Sequence, residues 1–271
     1  MPFLNAVIRA RGTQAVVRAA RRWPATKDPA RFATAELFGP RGRVQRHQVA
    51  GGRVILRHRT RDVEIFDEIF VGAPSYEPPP AVAAALHDRP PKTVLDLGGN
   101  VGLFAVYALA RWPSATITSV EPDPANLPLL ARCVEANAAA ERWTVIAACA
   151  ASRPGVVAFS GGRFANSTIA LDGDAVTDHV VAVDALDLLA DADFVKIDIE
   201  GGEWDLLLDP RFADHAPAVV VMEWHQRGCP TDDGYTAACD VFRQAGYQVE
   251  GEVSLGDKNG LIWAWRSDRS P

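Results

Sequence analysis

The chain has 271 residues, 48% of them apolar and 23% charged, with a formal net charge of −6 at pH 7. That composition supports one substantial domain with an N-terminal extension and excludes a disordered chain. No apolar run reaches the ~20 residues that a membrane span needs, and the four cysteines (Cys133, Cys149, Cys229, Cys239) lack CxxC spacing, which fits buried thiols in a reducing compartment rather than a disulfide frame or zinc site.

The opening Met1–Arg9 is too short and too soon charged for a signal peptide, so a cytoplasmic location is expected. Residues 3–22 read as a helix with Arg18, Arg21 and Arg22 on one face. A Pro-bounded connector follows from Pro24 to Pro40, with a short helix at 29–38. Arg43 to Arg59 reads as a hairpin that turns at Gly51-Gly52. Residues 1–61 hold 14 Lys/Arg against two acids, a balance of +12, whereas the remainder carries −18. A basic arm on an acidic body suits nucleic acid or an anionic membrane. The arm's interrupted charges and missing aromatic pattern favour packing on the body or on a second subunit. No nucleic acid partner is therefore expected, and homo-oligomerisation stays open. Asp62 to Val71 is amphipathic and fits a strand or a helix, and Gly72–Pro80 is a stiff linker. The chain thus divides into a basic extension of helix and hairpin (1–61), a lead-in and linker (62–80) and the main domain (81–271).

From residue 81 onward, strands and helices alternate. Strands are expected at 94–97, 115–120, 143–148, 155–159, 179–183, 194–199, 218–223, 247–253 and 260–265, with 160–175 as loop. Helices are expected at 81–87, from 103, after Asp123-Pro124, and at 184–190, 202–208 and 232–245. This order predicts an α/β domain with a mostly parallel sheet, helices on both faces, and a final strand pair compatible with an antiparallel edge.

Between the first strand and its helix lies Gly98-Gly99-Asn100-Val101-Gly102. Glycines there let the backbone approach a ligand, and the helix N-terminus offers unpaired N–H groups to an anionic group. A dinucleotide fingerprint would need glycine where Asn100 and Leu103 stand. The pattern Asp96-x-Gly98-x-Asn100-x-Gly102 instead looks like the first motif of class I S-adenosylmethionine methyltransferases. Nineteen residues after Gly102, Glu121 ends the second strand, where an acid can accept hydrogen bonds from both ribose hydroxyls. Asp123 and Pro124 are placed as N-cap and first residue of the next helix.

Strand alternation puts Lys196, Asp198 and Glu200 on one face, and Glu223 with His225 on one face of a neighbouring strand. Buried ions need partners. Asp96, Glu223 and the charges of the cluster itself can supply them, and an ion-pair role suits the deeper Lys196. The others sit at strand carboxyl ends, where open α/β sheets bind ligands. A metal site from Asp198, Glu223 and His225 can be drawn, but no tight ligand spacing supports it and no metal is expected.

Four segments occur in order: Leu95–Gly102, Val120-Glu-Pro-Asp123, Val195-Lys-Ile-Asp-Ile-Glu-Gly-Gly-Glu203 and Met222-Glu-Trp-His225. Together they resemble the FkbM-type family of S-adenosylmethionine-dependent class I methyltransferases. The third is the most family-specific, and the likeness runs over about 62–265, including Phe66–Val71 and Tyr76 in the lead-in. The resemblance implies a Rossmann-like seven-stranded sheet with an antiparallel last strand, S-adenosylmethionine as cofactor, and O-methylation of a small-molecule, sugar or natural-product hydroxyl. It implies cofactor contacts from Asp96, Gly98, Gly99, Asn100, Gly102, Glu121 and Asp198. Acceptor contacts are assigned to Tyr76 and Glu203. His225 is the first choice for catalytic base, with Glu200 and Glu223 as alternatives. One departure is the missing acid after the third strand, which leaves Ala148 to meet the adenine. An NAD-dependent oxidoreductase is the rival enzyme reading, since it shares Glu121. A non-catalytic protein of this fold, binding a partner or nucleic acid through its basic arm, is the other.

Overall fold

The computed structural model describes residues 21–71, 76–161, 168–169, 176–215, 217–251 and 258–266. The helix expected over 3–22 lies outside these residues except at its last two positions, as do linker positions 72–75, most of the 160–175 loop and positions 252–253. In chain order the elements are α1 (Pro29–Phe38), β1 (Val44–Val49), β2 (Gly52–Arg57), α2 (Arg61–Phe70), α3 (Pro80–Asp88), β3 (Thr93–Leu97), α4 (Leu103–Arg111), β4 (Thr116–Val120) and α5 (Leu127–Ala136). There follow β5 (Trp143–Ile146), β6 (Cys149–Ala151), β7 (Gly155–Ser160), β8 (Thr168–Ile169), β9 (Asp178–Asp184), α6 (Ala185–Ala190) and β10 (Phe194–Ile197). The chain ends with α7 (Glu203–Leu207), α8 (Phe212–His215), β11 (Val219–His225), α9 (Gly234–Gln244), β12 (Gln248–Gly251) and β13 (Asn259–Trp265).

The main sheet has seven strands in the order β12-β13-β11-β10-β3-β4-β5. Every neighbouring pair from β11 to β5 is parallel. The last strand, β13, runs antiparallel between β11 and β12, one position in from the edge. This is the Rossmann-like class I methyltransferase sheet. Its two faces carry separate apolar cores.

One open reading is resolved and three details differ from expectation. The ambiguous segment after residue 60 is the helix α2, capped by the Thr60 hydroxyl, which accepts from the Asp62 N–H. The helix after β4 begins at Leu127 rather than at Pro124. Asp123 Oδ1 accepts from the Ala125 N–H and so heads a turn before it. The third strand stops at Ile146. Finally, β6, β9, β7 and β8 form a separate small sheet rather than joining the main one. Within it β6 pairs parallel with β9, and β7 pairs antiparallel with β8 and β9.

The hairpin β1–β2 is built into the body. Val54, Leu56, Phe32 and Phe66 share one core with Phe104, Val106 and Leu130 of α4 and α5. Gly51 has φ +80°, and a Cβ there would run into Ala110 of α4, so only glycine permits this approach. The Asn137 side chain accepts from the Arg53 N–H (2.8 Å) and donates to the Arg53 carbonyl (2.7 Å). Arg57, buried, donates to both Asp62 oxygens (2.8 and 3.0 Å) and to Asn126 Oδ1 (2.6 Å). Arg22 makes a bidentate pair with Asp67 at 2.6 Å. Among the described residues no helix is long and apolar enough to cross a membrane.

Candidate active site

A cleft of about 1090 Å³, counting space open to solvent, lies beyond the carboxyl ends of β3, β4, β10 and β11. Gly98, Gly99 and Asn100 form part of its wall. Gly98 has φ +82°, and a Cβ on it would overlap the Asp198 carbonyl oxygen. The N–H groups of Gly98 and Gly99 both donate to the Val120 carbonyl at 3.0 Å, so the turn folds back on β4. Gly102 lies outside the cleft wall. Its N–H closes the turn onto the Gly99 carbonyl (2.8 Å) at the start of α4.

Glu121 faces the cleft from the end of β4. Its Oε2 accepts from the Asn100 N–H (2.8 Å) and its Oε1 from the Asp123 N–H (2.8 Å) and Asn126 Nδ2 (3.2 Å). Burial raises its pKa to about 7, against the pull of those donors. The carboxylate is held in one orientation, with acceptor capacity left for a ligand.

Asp96 does not reach the cleft. It is wholly buried, between its strand neighbours Ser119 and Lys196. Ser119 Oγ donates to its Oδ2 (3.1 Å), and Lys196 Nζ lies 3.4 Å from Oδ1. Its expected cofactor contact is therefore replaced by support beneath the turn. Lys196 Nζ also donates to the Gly98 carbonyl (2.7 Å) and lies 3.4 Å from Asp198 Oδ2. Burial disfavours its charge, but Asp198 and Asp96 more than offset this and raise its pKa. Lys196 thus ties cradle to cluster, the ion-pair role expected of it.

The cluster is assembled in two layers. Asp198, Glu200 and Glu223 line the cleft. Glu200 is past the end of β10, at φ +55°, in a sharp turn that continues through Gly201. Asn259 Nδ2 donates to Glu223 Oε1 at 2.9 Å. His225 and Glu203 lie behind this wall. Glu203 is wholly buried; its Oε1 accepts from the His225 N–H (2.7 Å) and lies 3.0 Å from Nδ1, and its Oε2 accepts from the Gly201 N–H (2.9 Å). With both oxygens taken inside the protein, Glu203 orients His225 and lies outside the cleft wall, not at it as expected of an acceptor contact. His225 Nε2 lies 3.6 Å from Glu200 and 3.7 Å from Glu223. Burial would lower the His225 pKa, but the Glu203 bond and the surrounding carboxylates drive it up to about 9. That shift favours the charged imidazolium and weighs against His225 as the base.

Burial and Asp198 raise the Glu200 pKa to about 7, and raise that of Glu223 as well. Asp198, Glu200 and His225 each bring an atom within 4.8 Å of the others, with Glu200 where Glu223 was expected in a metal set. Lys196 and His225 both face these carboxylates, at 3.4 Å from Asp198 for the first and 3.6 and 3.7 Å from Glu200 and Glu223 for the second.

Several wall residues escaped sequence reasoning. α2 contributes Arg61, Ile65, Glu68 and Ile69 as a roof. Burial and Asp198 raise the Glu68 pKa to about 7. Tyr76 lines the cleft as expected, its ring 5.4 Å from that of Phe104. Ala148 does not line it, and Cys149, Ala150, Phe159 and Ile169 form that wall instead. β5 ends two residues early, which shifts the contact along the chain. The amphipathic pattern of α2 and the family likeness of Phe66–Val71 were the available signals for the roof.

Residues 96–249, more than half of the chain, match the model of the methyltransferase FkbM domain. Among curated proteins none matches. Among solved structures, methyltransferase FkbM from Methylobacillus flagellatus KT is 18% identical, with a TM-score of 0.45 over 64% of this chain and 43% of that one. The chain therefore spans less than half the length of that protein. The O-methyltransferase from Bacillus cereus in complex with SAH is 11% identical, with a TM-score of 0.41 over 72% of this chain and 84% of that one. P. horikoshii TYW2 in complex with MeSAdo is 14% identical, with a TM-score of 0.42 over 85% and 74%. On the family match and the sheet order, the chain belongs to the methyltransferase FkbM domain family.

Proposed function

We propose that the chain is an S-adenosylmethionine-dependent O-methyltransferase acting on a hydroxyl of a small molecule, sugar or natural product. The observation that carries this reading is one cleft with a glycine cradle and an oriented Glu121 on one side and neutral-range carboxylates on the other. The family match favours this over the NAD reading. The lining fits the cofactor, because the turn residues Gly98, Gly99 and Asn100 and the clamped Glu121 beside them suit a nucleoside held at a strand end. Gly98, Gly99 and Asn100 would hold its amino-acid end, Glu121 its ribose, and Cys149, Ala150 and Phe159 its base.

When bound, S-adenosylmethionine supplies an electrophilic methyl group on a sulfonium. The protein's own work is alignment, which can be worth ~7–11 kcal/mol, and removal of the acceptor proton. Glu200 or Glu223 accepts that proton at a carboxylate oxygen, since both face the cleft; Glu200, raised to about 7, is partly ionised at neutral pH, and Glu223, raised to about 8, ionises above it. His225, fixed by Glu203, holds positive charge behind them and tunes their pKa values. The α2 roof and Tyr76 exclude water from above.

The test is incubation with methyl-labelled S-adenosylmethionine and a panel of hydroxylated acceptors, with mass spectrometry of the products. A labelled ether on at least one acceptor supports the proposal. Label found only on amines or carbon would contradict O-methylation.

A further inference from the structure

We infer that the turn between α1 and β1 is a docking surface for an anionic lipid membrane. Leu37 is 37%, Phe38 81% and Val44 36% exposed, whereas Phe32 and Ala35 of α1 are folded into the core. Arg41, Arg43 and Arg59 are exposed in the same place. Hydrogen bonds establish the proximity. The Gly42 N–H donates to the His58 carbonyl (2.9 Å), the His58 N–H to the Arg43 carbonyl (2.9 Å), and Arg59 Nη1 to the Gly39 carbonyl (2.8 Å). The turn is thereby pinned against the end of β2, with apolar side chains and guanidinium groups presented together.

Charge selects the occupant. Between residues 21 and 59 the only acids, Asp28 and Glu36, are both partly buried beside His47 and His58. Arg22 and Arg57 are consumed by Asp67 and Asp62 inside the protein. Arg21, Lys27, Arg31, Arg46 and Arg53 are exposed like the turn arginines. Residues 1–20 add three arginines and no acid, whereas residues 62–271 carry −18. An anionic surface attracts this end of the molecule and repels the rest, so docking is oriented. Exposed Leu, Phe and Val beside arginine suit the headgroup boundary, where the apolar side chains enter the acyl region and the guanidinium groups meet phosphates. Nucleic acid would instead call for stacked aromatic rings along a groove.

The full chain is sedimented with vesicles of phosphatidylcholine alone and with about 30% phosphatidylglycerol, at low and at high salt. Binding only to the anionic vesicles, released by salt, is expected. Phe38→Ser should weaken it about tenfold, and each of Arg41→Glu and Arg43→Glu at least fivefold. None of these side chains lines the cleft, so cofactor titration checks that each variant is folded. No wild-type binding to anionic vesicles, or undiminished binding in all three variants, would overturn the proposal. So would salt-sensitive RNA retention lost in the same variants without vesicle binding, or a Phe38-dependent dimer without it.

Discussion

At the scale of single residues, position behind or at the cleft wall decides the chemistry. Glu200 and Glu223 are at the wall and His225 is behind it. Replacing the base by Gln should lower kcat on the order of 10²- to 10⁴-fold, measured by label transfer at saturating cofactor. Near wild-type rates in both Glu200→Gln and Glu223→Gln would exclude a carboxylate base. A base must be unprotonated, so the wild-type rate should climb as pH rises through about 7 and then level. The His225 charge lowers the Glu200 pKa. His225→Gln should therefore move that climb to higher pH. An unmoved profile would remove the tuning role. Strand alternation was enough to place Glu223 and His225 on one face from sequence. It did not show Glu203 beneath the ring, because that contact joins α7 to β11 across 22 positions.

At the scale of elements, local motifs were legible and long-range ones were not. The turn at Gly98–Gly102 and the acid ending β4 belong to one βαβ unit, so their spacing carries their geometry. The α2 roof comes from a segment whose period fitted strand or helix, and its orientation depends on Phe66 and Ile69 packing into a core made by later helices. The hairpin is fastened to α2 by the buried Arg57–Asp62 pair and to Asn126, at the head of α5, by a second Arg57 bond. Arg57→Met should cost ~3–5 kcal/mol by stranding Asp62, read as a lower denaturant midpoint. His47 and His58 form a buried pair beneath α1, their Nε2 atoms 2.9 Å apart. Burial lowers the His47 pKa below its usual 6.5, against the pull of Asp28, with His58 and Arg31 adding to the lowering. The unfolded chain then binds more protons in that window. Stability is full above about pH 6.5 and falls as pH drops below it. His47→Gln should flatten this acid loss of Tm, and an unchanged slope would contradict it.

At the scale of the molecule, the parallel sheet with one antiparallel strand was readable from the alternation of elements and from the family resemblance. The separate small sheet was not, because nothing local tells a strand which sheet it will join. The basic extension and the body looked separable by charge, yet residues from 32 to 66 fill the same core as α4 and α5. A chain of residues 62–271 should therefore expose Phe104, Val106 and Leu130, bind a hydrophobic dye and lose its cooperative melt. A sharp melt in the truncated chain would instead make the extension dispensable.

The most direct test of the account is calorimetric titration of the full chain with S-adenosylmethionine, S-adenosylhomocysteine and NAD, repeated on Glu121→Ala. The account predicts micromolar binding of the first two, weakened at least tenfold in the variant, with NAD silent. Binding of NAD with S-adenosylmethionine silent would contradict it.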